Sequence, residues 1–172
     1  AHELAKPHLF RMARILGTGG AARAIVAALA EAGFTLVLAG RNPDKARAML
    51  DELDPGGQHH VAPLAHFAEP TDFAFDDREG CFDLVVNATS AGHDGGAPGI
   101  RASWLQADGL CYDMNYSRAA EPLRAACERA GLNYRDGFGM LVGQAALSFE
   151  LWTGQRPDPL PVIEGLRDAA RE

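Results

Sequence analysis

From Ala13 onward the apolar residues fall into two rhythms, short unbroken runs and helical stripes. Ala13 to Leu16 is a run that stops at glycine, and the small, helix-forming residues Ala24 to Ala32 follow. Ile25, Val26 and Leu29 share one face of that helix, and Gly33 closes it where a C-terminal glycine belongs. Thr35 to Ala39 is nearly continuous in apolar residues, as a parallel strand covered on both faces should be. Asn42-Pro43-Asp44 then opens a second helix, with Asn42 as N-cap and Pro43 at the first helical position. Ala46, Met49, Leu50 and Leu53 are its inner stripe, and Pro55-Gly56-Gly57 ends it. His60 to Pro63 is a candidate short strand. Residues 64–80 have no clear period and read as a loop with one helical turn.

The same alternation returns at Asp83 to Asn87, a strand, followed by a glycine-rich loop to Gly99. A short helix around Ser103 to Leu105, a strand from Leu110 to Met114 and a helix from Ala119 to Ala130 come next. Asn133 to Arg135 reads as a short strand and Met140 to Trp152 as a helix. Pro157, Pro159 and Pro161 set apart a last amphipathic helix, Val162 to Ala170. Strands alternating with helices at these lengths predict a doubly wound parallel sheet in three α/β/α layers. The boundaries this gives are a stub over 1–12, one α/β domain over 13–154 and a proline-rich turn with a helix over 155–172. One domain is also what 172 residues imply.

The glycines after the first strand add chemistry to that pattern. Gly17-Thr18-Gly19-Gly20-Ala21-Ala22 sits between a strand and a helix, with a second strand on schedule. Gly17 permits a sharp exit, Gly19 lets backbone approach a pyrophosphate, and Ala22 lets the helix lie close to the sheet. The helix start aims free N–H groups at the anion. In this context the string reads as a dinucleotide cradle of a Rossmann-like NAD(P)-binding domain, against the alternative of a plain βα turn.

Composition changes that picture little. A hydrophobic fraction of 47% and a charged fraction of 23% are ordinary for a globular chain. The net charge of −7 argues against nucleic acid as a partner, while local donors can still hold a polyphosphate. No apolar stretch approaches the ~20 residues of a membrane span, and the first residues lack the pattern of a signal peptide. Cys81, Cys111 and Cys127 have no metal-binding or disulfide spacing and read as buried thiols of a reducing compartment. A cytoplasmic location follows as the expectation. His59, His60 and His66 read as exposed loop residues without metal-ligand spacing.

The end of the second strand selects the cofactor in such folds. An acid there holds the ribose hydroxyls of NAD and repels a phosphate. This chain has Gly40-Arg41-Asn42, about twenty residues after the glycines. Arg41 offers a fork of donors suited to phosphate, and Lys45 adds a second cation one turn later. The plainer alternative is a solvated cationic pair, but cations at a helix N-terminus are wasted unless an anion comes there. NADP is the expected cofactor.

Together with Asn87-Ala88-Thr89-Ser90-Ala91-Gly92, Tyr112-Asp113-Met114-Asn115-Tyr116 and Asp136 to Ala145, these motifs resemble the shikimate dehydrogenase family in order and spacing. The resemblance runs from about Ala13 to about Gly154. It implies NADP-linked interconversion of 3-dehydroshikimate and shikimate. It further implies that Gly17, Thr18, Gly19, Gly20, Ala21 and Ala22 form the pyrophosphate loop, and that Arg41, Asn42 and Lys45 face the 2′-phosphate. Thr89 would lie beside the adenosine half. Gly137, through its carbonyl, and Met140 would line the nicotinamide pocket, with Tyr116 and Gln144 facing substrate. Where the family commonly has Asn and Thr, this chain has Gly40 and Asn42.

Taken as bare residues, Met140 and Tyr116 suit core packing better than a place in a site. Gln144 lies among Leu141, Val142, Ala145 and Ala146, where a buried amide would need a partner, either a substrate hydroxyl or a neighbouring loop. Asp113 follows an apolar strand and reads as structural. The resemblance also implies a catalytic Lys and Asp on an N-terminal substrate domain, and nothing before Ala13 matches one. Hydride transfer to a carbonyl needs a placed proton donor, so the chain reads as the cofactor half of a two-domain enzyme. Rival readings are an NAD-linked quinate or shikimate dehydrogenase, a non-catalytic NADP-binding module and, more remotely, a methyltransferase.

Overall fold

The computed structural model describes residues 11–64, 82–100 and 102–170. Among the described residues six strands form one parallel sheet: β1 (Arg11–Leu16), β2 (Phe34–Gly40), β3 (His60–Pro63), β4 (Phe82–Asn87), β5 (Leu105–Asp113) and β6 (Asn133–Arg135). Their order across the sheet is β3-β2-β1-β4-β5-β6. The helices are α1 (Gly20–Glu31), α2 (Pro43–Leu53), α3 (Glu121–Ala130), α4 (Phe138–Thr153) and α5 (Leu160–Ala169). This is the doubly wound arrangement, and the direction of winding reverses between β1 and β4. The crevice outside the carboxyl ends of those two strands is where such sheets bind ligands.

Strand alternation divides the core into two layers. Ile15, Leu36, Leu38 and Val86 pack with Val26 of α1 and Leu50 of α2 on one face. Leu16, Val37, Val85 and Cys111 pack with Leu123 and Cys127 of α3 on the other. Each fully buried leucine of this kind contributes about 1.5–3 kcal/mol of transfer free energy. The second face also holds Arg14, fully buried, its guanidinium 4.3 Å from the Trp104 ring centroid and 5.9 Å from that of Phe82.

The structure moves several boundaries. β1 starts at Arg11, so Arg11 and Met12 belong to the sheet, paired with Phe34 and Thr35, and not to a stub. Backbone pairing sets that edge, and the polarity of Arg11 hides it. β5 begins at Leu105, where the sequence suggests a short helix; only a 3₁₀ turn remains at Ala102–Trp104. Gln106 and Asp108 interrupt the apolar pattern, and the strand carries a register shift opposite Phe82 and Leu84. A 3₁₀ turn over Ser117–Ala120 precedes α3, whose first turn holds Pro122. α4 starts two residues before Met140, and α5 starts at Leu160 with no buried residue.

His59 is a clear correction. It is 9% exposed, its Nδ1 accepts the Leu36 N–H at 3.2 Å, and its Nε2 lies 3.0 Å from Asp54 Oδ2. It closes the backbone at the edge of β2, a job its local sequence does not advertise. His60 is partly buried in β3. His66, Cys81, most of the 64–80 loop and residues 1–10 of the expected stub lie outside the described residues. Cys111 and Cys127 are buried and free. Among the described residues no helix is long and apolar enough to cross a membrane, and no His, Cys, Asp and Glu cluster could hold a metal.

Candidate functional site

The ladder carries past the strand ends at the switch point: Gly17 N donates to Ala39 O at 2.7 Å and Ala88 N to Leu16 O at 2.8 Å. Gly17 has a φ of +106°, and a Cβ there would come 2.8 Å from the Ala88 carbonyl oxygen. Both facts require glycine. Gly19 caps α1 without any side-chain bond, and a Cβ on Gly19 or Gly20 would meet nothing within 4 Å. The loop therefore presents bare backbone to open space. Ala22, fully buried, seats the helix on the sheet.

Two clefts flank this loop. One, of about 650 Å³, is lined by Gly17, Thr18, Gly19, Arg41, Lys45 and Thr89 among others. The other, of about 600 Å³, lies between α1 and α4 and is lined by Gly20, Ala21, Tyr116, Met140 and Gln144, with Tyr112 and Met114 at its floor. The structure thus brings most of the expected site residues to the two sides of one glycine ridge. Arg41 and Lys45 are exposed at the first cleft. Asn42 caps α2 as the sequence leads one to expect, its Oδ1 accepting the Lys45 N–H at 3.1 Å. Arg23, inside the glycine motif, forms a two-point ion pair with Glu52 of α2. Gly40 is explained by its neighbour: a Cβ there would lie 2.6 Å from Thr18 Cγ2.

At the second cleft, Tyr116 is 40% exposed and its ring lies 5.5 Å from that of Phe138. Tyr116 and Met140 line the cleft instead of filling the core. Gln144 is exposed, not a buried amide, and its Nε2 donates to Met140 Sδ at 2.7 Å. α4 buries Phe138, Val142 and Ala146, and Gln144 falls on the opposite side with Met140, Leu147 and Leu151. Gly137 donates its N–H to Asn115 O at 2.8 Å, and a Cβ on it would run into the Met114 carbonyl. Its carbonyl accepts the Leu141 N–H at 3.0 Å and keeps a second lone pair.

Behind both clefts lies a group the sequence reading underrated. Asp113 is fully buried, and its Oδ1 accepts from Asn87 Nδ2 at 2.9 Å and from the Asn115 backbone and side-chain amides at 3.0 Å each. Burial pushes the Asp113 carboxyl above the usual carboxylate range, against hydrogen bonds from Asn115, Asn87 and Tyr134 that pull it down. In the sequence Asn87 and Asp113 each end an apolar run, and the register of β4 against β5 then sets them directly opposite one another.

Known proteins share this arrangement. A family profile described as the shikimate 5′-dehydrogenase C-terminal domain matches residues 137–167. A shikimate 5-dehydrogenase from Thermus thermophilus, solved in complex with shikimate, is 32% identical with a TM-score of 0.68, covering 98% of this chain and 56% of that one. A shikimate dehydrogenase in complex with NADP+ is 25% identical, TM-score 0.74, covering 98% and 58%. A quinate dehydrogenase from Corynebacterium glutamicum in complex with NAD is 25% identical, TM-score 0.73, covering 97% and 58%. The chain thus spans little more than half the length of these structures. Its six-stranded winding, its site motifs and these matches agree, and the chain belongs to the shikimate dehydrogenase family as a counterpart of the C-terminal domain.

Proposed function

We propose that this chain is the NADP(H)-binding half of a shikimate dehydrogenase, the enzyme that reversibly reduces 3-dehydroshikimate to shikimate in the cytoplasm on the route to aromatic amino acids. The observation that carries the cofactor choice is the pairing of Arg41 and Lys45 at the first cleft, with no acid between Gly40 and Asp44. The residues present fit a dinucleotide: a glycine ridge whose absent Cβ atoms leave open space, a helix start without a side-chain cap, and a cleft on each side. When bound, NADPH would supply the hydride. This chain would hold the pyrophosphate on the amides of Gly19 to Ala21 and clamp the 2′-phosphate with Arg41 and Lys45, with Thr89 beside the adenosine. Met140 and the Gly137 carbonyl would border the nicotinamide, and Tyr116 and Gln144 would face substrate.

The proton donor for the carbonyl oxygen would come from a preceding substrate domain carrying a Lys and an Asp. Two observations support such a partner. The chain covers 56% of the Thermus thermophilus enzyme, and α4 turns Leu147 and Leu151 outward beside the second cleft, apolar surface of the kind an adjoining domain covers.

Calorimetric titration of the chain with NADP and NAD tests the reading. NADP should bind more tightly, and the gap should narrow as salt screens the phosphate contacts. Arg41→Ala should cost about 1.5–3 kcal/mol toward NADP, as for hydrogen bonds to a charged group, and little toward NAD. Equal affinities at low salt would overturn the NADP assignment. They would favour the second reading, an NAD-linked quinate dehydrogenase, which the Corynebacterium glutamicum match supports.

A further inference from the structure

Three polar side chains are buried directly behind the two clefts: Asn87, Asp113 and Asn115. Their bonds tie the ends of β4, β5 and β6 to the segments that follow β4 and β5. Asn87 Oδ1 accepts the Thr89 N–H at 3.0 Å and the Thr89 hydroxyl at 2.7 Å. Asn115 Nδ2 reaches the Thr89 carbonyl at 3.1 Å as well as Asp113. Met114 N donates to Asn87 O at 2.9 Å, and Asn115 O takes the Gly137 N–H. Asp113 Oδ2 lies 3.4 Å from the Tyr134 hydroxyl.

We propose that Asp113 is a positioning residue, the hub that sets the adenosine cleft and the nicotinamide cleft in fixed relation to one another. The inference rests on the dinucleotide reading above. One carboxylate oxygen gathers three donors, and through them it fixes Thr89 on one side and the Met114–Tyr116 segment on the other. Through Asn115 it also fixes the start of α4, which carries Met140 and Gln144. The residues flanking Asp113, Tyr112 and Met114, are themselves on the floor of the second cleft.

Stability alone is a poor reason for such a hub, because a buried carboxylate adds little over a well-packed apolar residue. Spacing is a better one. A ligand that spans both clefts gains from subsites already in register, whereas a ligand that fills one cleft gains nothing. The pattern of donors also defines the conservative replacement. An asparagine with its amide oxygen at the Oδ1 position keeps all three bonds and offers its NH₂ toward Tyr134.

The test measures affinities of the full chain for NADP and for adenosine 2′,5′-bisphosphate, which occupies the first cleft only, well below each variant's melting temperature. Asp113→Ala should weaken NADP roughly tenfold, the scale of losing a buried hydrogen-bond partner, and leave the bisphosphate nearly unchanged. Asp113→Asn should stay close to wild type for both. Asn115→Ala, which keeps the carboxylate but cuts the bridge to Thr89, should reproduce the split and decides the matter if Asp113→Ala does not fold. Undiminished NADP affinity in the alanine variants, or parallel losses on both ligands, would overturn the positioning role. A wild-type chain that binds neither ligand would remove the dinucleotide reading itself, and this inference with it.

Discussion

Two glycines two residues apart do different work. Gly17 is held by the backbone of the β4 loop, so a side chain there collides with protein. Gly19 has φ −88° and ψ −171°, open to any residue, and a Cβ on it meets only empty cleft. Gly19→Val should therefore abolish binding of both NADP and NAD while circular dichroism and thermal melting stay near wild type. Wild-type NADP affinity in that variant would reduce the loop to a turn. Gln144 teaches the opposite lesson about reading single residues. Its apolar neighbours in sequence suggested burial, but only every fourth residue of α4 from Phe138 to Ala146 is buried, and Gln144 is not among them.

At the scale of elements, the start of α2 serves two ends at once. Arg41 precedes it, Lys45 lies one turn in, and Asn42 between them spends its side-chain oxygen on the Lys45 amide. Asn42 therefore presents the two cations by fixing the helix start, whatever contact it also makes with a ligand. Asn42→Ala should lower stability by about 1 kcal/mol in urea melts, the usual loss for an N-cap. Asn42→Ser, which can still cap, should restore most of it. An alanine variant as stable as wild type would show that Pro43 and the first turn hold the helix start unaided.

At the scale of the molecule, the proposed division of labour predicts that this chain binds NADP without oxidising shikimate at an appreciable rate. Placed acid–base groups contribute about 10²–10⁴-fold, and half of the substrate wall would be absent too. Supplying the substrate domain, in cis or as a separate chain, should restore turnover followed by NADPH absorbance. In that complete enzyme Gln144→Ala should raise the shikimate KM and leave NADP affinity nearly unchanged. Robust turnover by the 172 residues alone would mean that a catalytic pair resides here.

Apolar runs and stripes determined the doubly wound class, because buried strands and amphipathic helices differ in period and each run here is bounded by Gly, Pro or a cap. Local chemistry likewise marked Gly17 to Ala22 and the Arg41–Lys45 pair, since backbone approach and charge are properties of the residues themselves. Boundaries at Arg11 and Leu105 depended on pairing with neighbouring strands, which polar residues such as Arg11, Gln106 and Asp108 accept without any apolar signal. His59 needed the β2 backbone beside it to become a buried acceptor. Above all, the meeting of Asn87, Asp113 and Asn115 was decided by tertiary structure: residues 26 apart in sequence become partners only when β4 and β5 lie side by side in register.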